Sequence, residues 1–266
     1  MLEHNKVYLG DCLELMKDIE DNCIDLTVTS PPYDDTKNYN NSLSWNFDIF
    51  RNIAKQLYRI TKENGVIAWV VGDKTENGSE TGTSFKQALY FKELGFNLHD
   101  TMIYRKVNYV PLTHNRYEQE FEYIFILSKG KPKTFNPIKI PCKYAGTETW
   151  GKPTYYKTSD DILVEQDKKK INNSKIKGNI CEYRTGSTQS KGVKHPAIFP
   201  LDLAKDMIIS WSNEGDIILD CFAGSGTTAI ACMNTNRNYI LMEKEQKYYD
   251  IIQDTINKHT NQINLF

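Results

Sequence analysis

The sequence predicts a wound α/β sheet, and three observations lead there. Short apolar runs at Ile24 to Thr29, Gly65 to Val71 and Tyr239 to Glu243 are spaced by segments of helical periodicity. Asp216 to Ala231 reads as strand, glycine turn and helix. With 266 residues, 39% of them hydrophobic, the chain can bury a core without disulfides.

In chain order, Val7 to Met16 reads as strand, turn and helix. Asp11 then lies at a strand tip, as an N-cap for the helix or as an acceptor for a bound amine. Ile24 to Thr29 is a buried strand, Phe50 to Thr61 a helix, and Gly65 to Val71 a second buried strand. Gly72 to Gly82, dense in Gly, Thr, Ser and Asn, reads as a long loop. Phe85 to Leu94 is a helix stopped at Gly95, and His99 to Tyr104 and Phe121 to Ser128 are further strands. Lys244 to Asn264 carries Tyr248, Ile251, Ile252 and Ile256 at helical spacing and reads as a packing helix.

Two constellations carry chemistry. Thr29-Ser30-Pro31-Pro32-Tyr33 follows a strand, where ligands of open α/β sheets sit. The proline pair fixes two φ angles and removes two N–H donors, so the turn is stiff and rich in carbonyls. The Ser30 hydroxyl and the Pro31 carbonyl are two acceptors suited to a planar amine, and Tyr33 offers an aromatic face. Taken alone, the motif also fits a plain loop after a strand. In the second constellation, Gly224 and Gly226 let the backbone approach a ligand closely. Glu243 ends an apolar strand about 20 residues further on, the spacing that suits ribose hydroxyls. Position 229 is Ala, so the G-x-G-x-x-G spacing leaves a nicotinamide dinucleotide open; the amine motif argues against it.

Gly10-Asp11, Thr29 to Tyr33, His195 to Pro200, Phe222 to Thr228 and Glu243 occur in an order that resembles the beta class of DNA amino-methyltransferases across most of the chain. The resemblance implies a permuted Rossmann-like methyltransferase fold, with a mostly parallel seven-stranded sheet, helices on both faces, a reversed last hairpin and a small inserted target-recognition region. It implies S-adenosyl-L-methionine as cofactor and double-stranded DNA as partner. The expected reaction is direct methyl transfer to the exocyclic amine of a base flipped from the duplex. Ser30, Pro31, Pro32 and Tyr33 are then the catalytic candidates. Thr29, Asp220, Phe222, Ala223, Gly224, Ser225, Gly226 and Thr227 are the cofactor-binding candidates, with Asp11 for the adenine amine and Glu243 for the ribose. His195 to Pro200 would pack beneath that site.

In such families Ser-Pro-Pro-Tyr goes mostly with cytosine N4 and Asp-Pro-Pro-Tyr with adenine N6. Both bases present the same amine, so cytosine N4 is expected with adenine N6 as the alternative. RNA and protein amine methyltransferases share the chemistry but resemble chains with the cofactor turn first, and a silent DNA-binding relative would not need both motifs intact. Cys221 stands where similar proteins often carry Pro. A cognate restriction endonuclease is a candidate partner, and monomer and homodimer both stay open.

The formal net charge of -1 conceals an uneven distribution. From Lys129 to Lys191 there are 14 Lys and Arg against 6 Asp and Glu, a local +8 suited to phosphates. The expected organisation is therefore a methyltransferase domain from 1–128 and 192–266, with 129–191 as target-recognition insertion. Tyr144, Trp150, Tyr155, Tyr156 and Tyr183 lie among its basic residues, a pattern suited to stacking, and Lys168 to Gly178 reads as loops that order on DNA. Asp34, Asp35, Lys37, Asn38 and Tyr39 suggest a mobile lid. The six cysteines are scattered with no C-x-x-C pair, which argues against a metal site. No apolar run is long enough for a bilayer and no signal pattern opens the chain, so the cytoplasm is expected. His4, His99, His114, His195 and His259 show no catalytic spacing, and no general base is assigned.

Overall fold

The computed structural model describes residues 2–32, 45–108, 115–148, 154–166, 170–184 and 199–263. In chain order the elements are β1 (Lys6–Leu9), α1 (Cys12–Leu15), β2 (Ile24–Thr29), α2 (Phe47–Ile60), β3 (Thr61–Val71), β4 (Thr75–Glu76), β5 (Ser79–Glu80), α3 (Thr83–Glu93), β6 (Asn97–Lys106) and β7 (Phe121–Ser128). They continue with β8 (Lys139–Pro141), β9 (Thr154–Lys157), β10 (Leu163–Gln166), β11 (Ser174–Ile176), β12 (Ile180–Tyr183), α4 (Leu201–Trp211), β13 (Ile217–Asp220), α5 (Thr227–Met233), β14 (Asn238–Glu243) and α6 (Gln246–Ile263). Two compact units result: residues 1–136 with 179–266, and residues 137–178.

The larger unit holds a sheet in the order β1-β14-β13-β2-β3-β7-β6-β12. Within it β7 runs against its neighbours, antiparallel to both β3 and β6. Among the described residues the sheet therefore has eight strands where the resemblance implies seven. The additional one is β12, drawn from the segment expected to be insertion, which pairs in parallel with β6 from Ile180↔Ile103 to Tyr183↔Lys106.

Alternation along the strands makes two cores. Leu26, Val28, Val66, Ala68, Val70, Ile124 and Ile126 face Leu203, Ala204, Met207, Ile208 and Trp211 of α4, together with residues of α5 and α6. Ile67, Trp69, Val71, Phe125, Leu127 and Leu219 face α1, α2 and α3. Helices thus cover both faces, as βαβ winding requires. α2 forms because Phe50, Ile53, Ala54, Leu57 and Ile60 share one buried face and Asn46 caps Ile49 N at 2.9 Å. It starts earlier than the sequence suggests because that cap lies outside the apolar repeat. The 72–82 segment, which reads as loop, contains the β4–β5 hairpin, turned by Asn77 and Gly78 at φ 49 and 81. Its base is tied by Asp73, which accepts from Ser84 N at 2.9 Å and from Ser84 Oγ at 2.5 Å. No helix among the described residues is long and apolar enough to cross a membrane.

Thr27 is fully buried in the centre of β2, and its Oγ1 has no hydrogen-bond partner among the described residues. A buried unpaired hydroxyl is unfavourable, and a methyl group of the same shape removes the penalty. Thr27→Val is expected to raise the free energy of unfolding by about 1 kcal/mol, read from the urea midpoint. A midpoint at or below that of the wild type would contradict this.

The 137–178 unit consists of paired β-ribbons, β8 with β11 and β9 with β10, both antiparallel. Ser174–Ile176, within the run that reads as loop, is thus a paired strand. Tyr144, Tyr155 and Tyr156 are all more than half exposed, and Lys139, Lys143 and Lys175 are exposed with them. Residues 129–136 and 179–184 of the basic segment belong to the larger unit, and Lys129 and Tyr183 are buried there. Lys129 is buried in the larger unit, donating to Asn22 Oδ1 at 2.7 Å, to Tyr58 O at 3.1 Å and to Thr61 O at 3.2 Å. Tyr183 is buried in the sheet core and donates to Asp206 Oδ2 at 2.6 Å. Neither is placed to meet DNA, and Trp150, Lys168 and Lys169 lie outside the described residues.

Candidate active site

Strands β2 and β13 are parallel neighbours, with Ile218 opposite Leu26 and Leu219 opposite Thr27. Their carboxyl ends therefore finish side by side, which brings Ser30 and the glycine turn together from positions nearly two hundred residues apart. β14 pairs with β13 on the far side, so Glu243 ends next to the same turn.

Asp220 lies at the centre. Its Oδ1 accepts from Thr29 Oγ1 at 2.7 Å and Phe222 N at 3.1 Å, and its Oδ2 from Thr228 Oγ1 at 2.6 Å. Burial raises its pKa, and the hydrogen bonds from Thr228, Thr29 and Phe222 oppose that shift. The carboxylate sits inside the wall of the site.

The turn is shaped by Gly224 and Gly226 at φ 54 and 78, both left-handed. Gly226 is the N-cap residue of α5, and a Cβ there would lie 2.8 Å from Ile252 Cγ2. Glu243, 9% exposed, accepts from Gly224 N through Oε2 and from Glu245 N through Oε1, each at 2.9 Å. Burial raises its pKa, opposed by those backbone donors. Ala223 N donates to Met242 O at 3.0 Å, so the turn is fixed to β14 at two points. Ser225 and Thr227 are buried with hydroxyls 3.1 Å apart.

Of the amine motif, Ser30 is half-buried and Pro31 and Pro32 are buried; Tyr33 lies outside the described residues, as do the lid candidates Asp34, Asp35, Lys37, Asn38 and Tyr39. His195 to Ile198 are also outside them, while Phe199 and Pro200 lead into α4. Asp11 caps α1 by accepting from Leu13 N at 2.9 Å, and its Oδ2 lies 3.2 Å from Lys244 Nζ. Gly10 N donates to Glu243 O at 2.9 Å, which keeps Asp11 near the tip of β14.

Two features are not legible in the sequence. Trp45, 8% exposed, packs edge-on against the Phe222 ring with centroids 5.7 Å apart, and Trp69 does so at 6.4 Å. A lone Trp one residue before a helix cap carries no periodic signal. Thr228 reads only as part of the turn, yet it completes the Asp220 cluster.

The pieces fit a cofactor with a ribose and a small polar end. Two left-handed glycines leave a backbone turn open to close approach, and a buried carboxylate sits at the next strand tip with lone pairs beyond its two backbone donors. Comparison with known proteins agrees. Residues 24–254 match the N6/N4 methyltransferase family, described as DNA methylase. The orphan methyltransferase M.BamHII of Bacillus amyloliquefaciens is 48% identical over 92% of this chain and 93% of its own. The type II methyltransferase M.BglII of Bacillus subtilis is 28% identical over 98% of this chain and 71% of its own. Among solved structures, M1.HpyAVI in complex with S-adenosylmethionine superposes with a TM-score of 0.62 at 25% identity, covering 94% of this chain and 98% of that one. The cytosine-N4-specific PvuII DNA methyltransferase gives 0.70 at 18% identity, over 99% of this chain and 93% of its own, a likeness of fold. With the glycine turn, the carboxylate and the amine motif on adjoining strand tips, the chain belongs to the N6/N4 DNA methylase family and is an S-adenosylmethionine-dependent DNA methyltransferase.

Proposed function

We infer that the enzyme methylates the N4 amine of a cytosine flipped from double-stranded DNA, within a specific sequence. The observation that carries this reading is the adjacency of the Ser30 turn and the glycine turn, tied through Thr29 and Asp220. Bound S-adenosylmethionine supplies a methyl group on a sulfonium, an electrophile that needs an amine lone pair aimed at it. In the free base that lone pair is delocalised into the ring. The Ser30 hydroxyl and the Pro31 carbonyl accept the two N–H hydrogens and favour a tetrahedral nitrogen, which is positioning plus electrostatic stabilisation. Tyr33 stacks on the base. Phe222, Ala223, Gly224, Ser225, Gly226 and Thr227 line the cofactor side, Glu243 takes the ribose hydroxyls, and Asp11 the adenine amine. No histidine is assigned as base; the amine releases its proton to water or through Ser30 once it has become cationic.

Cytosine is favoured by the Ser-Pro-Pro-Tyr form. The test is to incubate the protein with S-adenosylmethionine and unmethylated DNA, digest to nucleosides and identify the products by mass spectrometry. N4-methylcytosine is expected. N6-methyladenine would keep the enzyme class and overturn Ser30 as the discriminator, and an unmodified DNA would overturn the reading.

Within the basic segment 129–191, residues 137–178 are read as the target-recognition region, supported by the exposed Tyr144, Tyr155 and Tyr156 beside Lys139, Lys143 and Lys175. Changing those three lysines to Gln should weaken binding to all DNA sequences alike. The slope of log affinity against log salt should fall by up to about 0.9 for each lysine that touches a phosphate. An unchanged slope would exclude these lysines from the interface. A cognate restriction endonuclease stays a candidate partner, in keeping with type II relatives such as M.BglII.

A further inference from the structure

The site is built from two strand tips whose backbones part company. Ladder pairing of β2 with β13 joins Ile218 to Leu26 and Leu219 to Thr27, below the residues that carry chemistry. Beyond that point Thr29 and Ser30 continue one tip, and Asp220 to Phe222 the other. What joins them there is side-chain contact: Thr29 Oγ1 donates to Asp220 Oδ1 at 2.7 Å, and Cys221 Sγ lies 3.9 Å from the same hydroxyl.

Thr29 is 1% exposed, Asp220 5% and Thr228 1%, so the whole cluster lies behind the surface. Three of the carboxylate's acceptor positions are taken by Thr29, Phe222 N and Thr228. One oxygen thereby grips the residue before Ser30 and the backbone of Phe222 together, while the other grips the first turn of α5. No further exposed donor is needed to explain why a carboxylate is kept in this place.

We propose that the Thr29–Asp220 hydrogen bond is a positioning link that sets the separation between the amine clamp at Ser30 and the methyl-donor cradle at Phe222 to Gly226. Thr29 and Asp220 are thus positioning residues that act through their neighbours. The inference rests on the amine-methylation reading above. A gap between nucleophile and electrophile is what such a link controls, and a misplacement of about 1 Å can lower the rate by ~100-fold without touching affinity.

Thr29→Val removes the donated hydrogen bond with little change of volume and leaves Phe222 N and Thr228 on Asp220. Single-turnover methyl transfer should fall about 10- to 100-fold, while the Kd for S-adenosylmethionine stays within about threefold of wild type. Thr29→Ser, which keeps the hydroxyl, should recover transfer to within about threefold. Thr228→Val releases the α5 side and should weaken cofactor binding instead. Thermal unfolding of each variant shows that the compared proteins are folded. The proposal fails if Thr29→Val transfers at the wild-type rate, if Thr29→Ser loses as much as Thr29→Val, or if cofactor affinity falls in step with the rate. Wild-type protein that methylates no DNA amine would overturn the underlying reading as well, and nucleoside mass spectrometry separates that case.

Discussion

Gly226→Ala is expected to lower affinity for S-adenosylmethionine by about 100-fold and to reduce stability by roughly 1–3 kcal/mol. Two effects combine. At φ 78 any side chain is strained, and the new Cβ would meet Ile252 Cγ2 at 2.8 Å, Cγ1 at 3.2 Å and Cβ at 3.3 Å. These atoms sit at the root of a fully buried side chain in α6: Cβ cannot move by rotation, and a χ1 turn of the γ carbons would drive them into the packed core. Either α6 or the turn must move, and the turn is the proposed cofactor cradle. Gly82 separates the two effects, because it has φ 62 and a Cβ added there would meet nothing within 4 Å. Gly82→Ala should share the strain and keep cofactor affinity. In Gly226→Ala/Ile252→Ala the overlap is relieved, so binding should partly return although the cavity costs about 2–5 kcal/mol. Titration calorimetry and thermal unfolding read both quantities, and wild-type affinity in Gly226→Ala would refute the argument.

The central strands are legible in sequence because their environment is uniform. Ile24 to Thr29 is buried along its length and stopped by a proline pair, so composition alone bounds it. Gly65 to Val71 is legible for the same reason. The first residues of that strand are not, since Lys62, Glu63 and Asn64 are polar, and only pairing of Thr61 with Ile24 makes the stretch a strand. The glycine turn and its helix announce themselves through residues that few other backbones need.

What escapes the sequence depends on distant partners. β12 alternates exposed and buried over four residues inside a basic segment, and its place follows from pairing with β6 some 77 positions away. α4 is apolar around much of its circumference, with Asp202, Lys205 and Asp206 too few to show an amphipathic contrast. Tyr183 and Tyr144 look alike in the sequence, yet one is buried on Asp206 and the other is exposed. Asp220 shows the same limit within the site. Its position at a strand tip is legible, but the side-chain donors that occupy it come from 191 and 8 positions away, and no local pattern encodes that.

Glu243→Gln should weaken S-adenosylmethionine binding by about 10- to 100-fold, the worth of a hydrogen bond or two to a charged acceptor. The wild-type carboxylate serves Gly224 N and Glu245 N with separate oxygens. A carboxamide supplies one acceptor and turns its NH2 toward the other N–H, leaving a buried donor unpaired at about 1–3 kcal/mol. Protonation does related damage, because burial raises the pKa of this carboxyl above its ordinary 4.5. Cofactor affinity should therefore fall as pH drops through that raised value, in a range where exposed carboxylates are still charged. Unfolding is not the cause. A group whose pKa is higher in the folded chain binds its proton more tightly there, so its contribution to stability is full below the unfolded value and is lost as pH rises through the folded one. Acid thus weakens the site through Glu243 while favouring the fold through the same group. Kd for S-adenosylmethionine should rise as pH falls through that value in wild type and stay flatter in Glu243→Gln, while the unfolding midpoint of wild type should gain on that of Glu243→Gln over the same fall in pH. An unaltered trend in that variant would assign the pH dependence to another group.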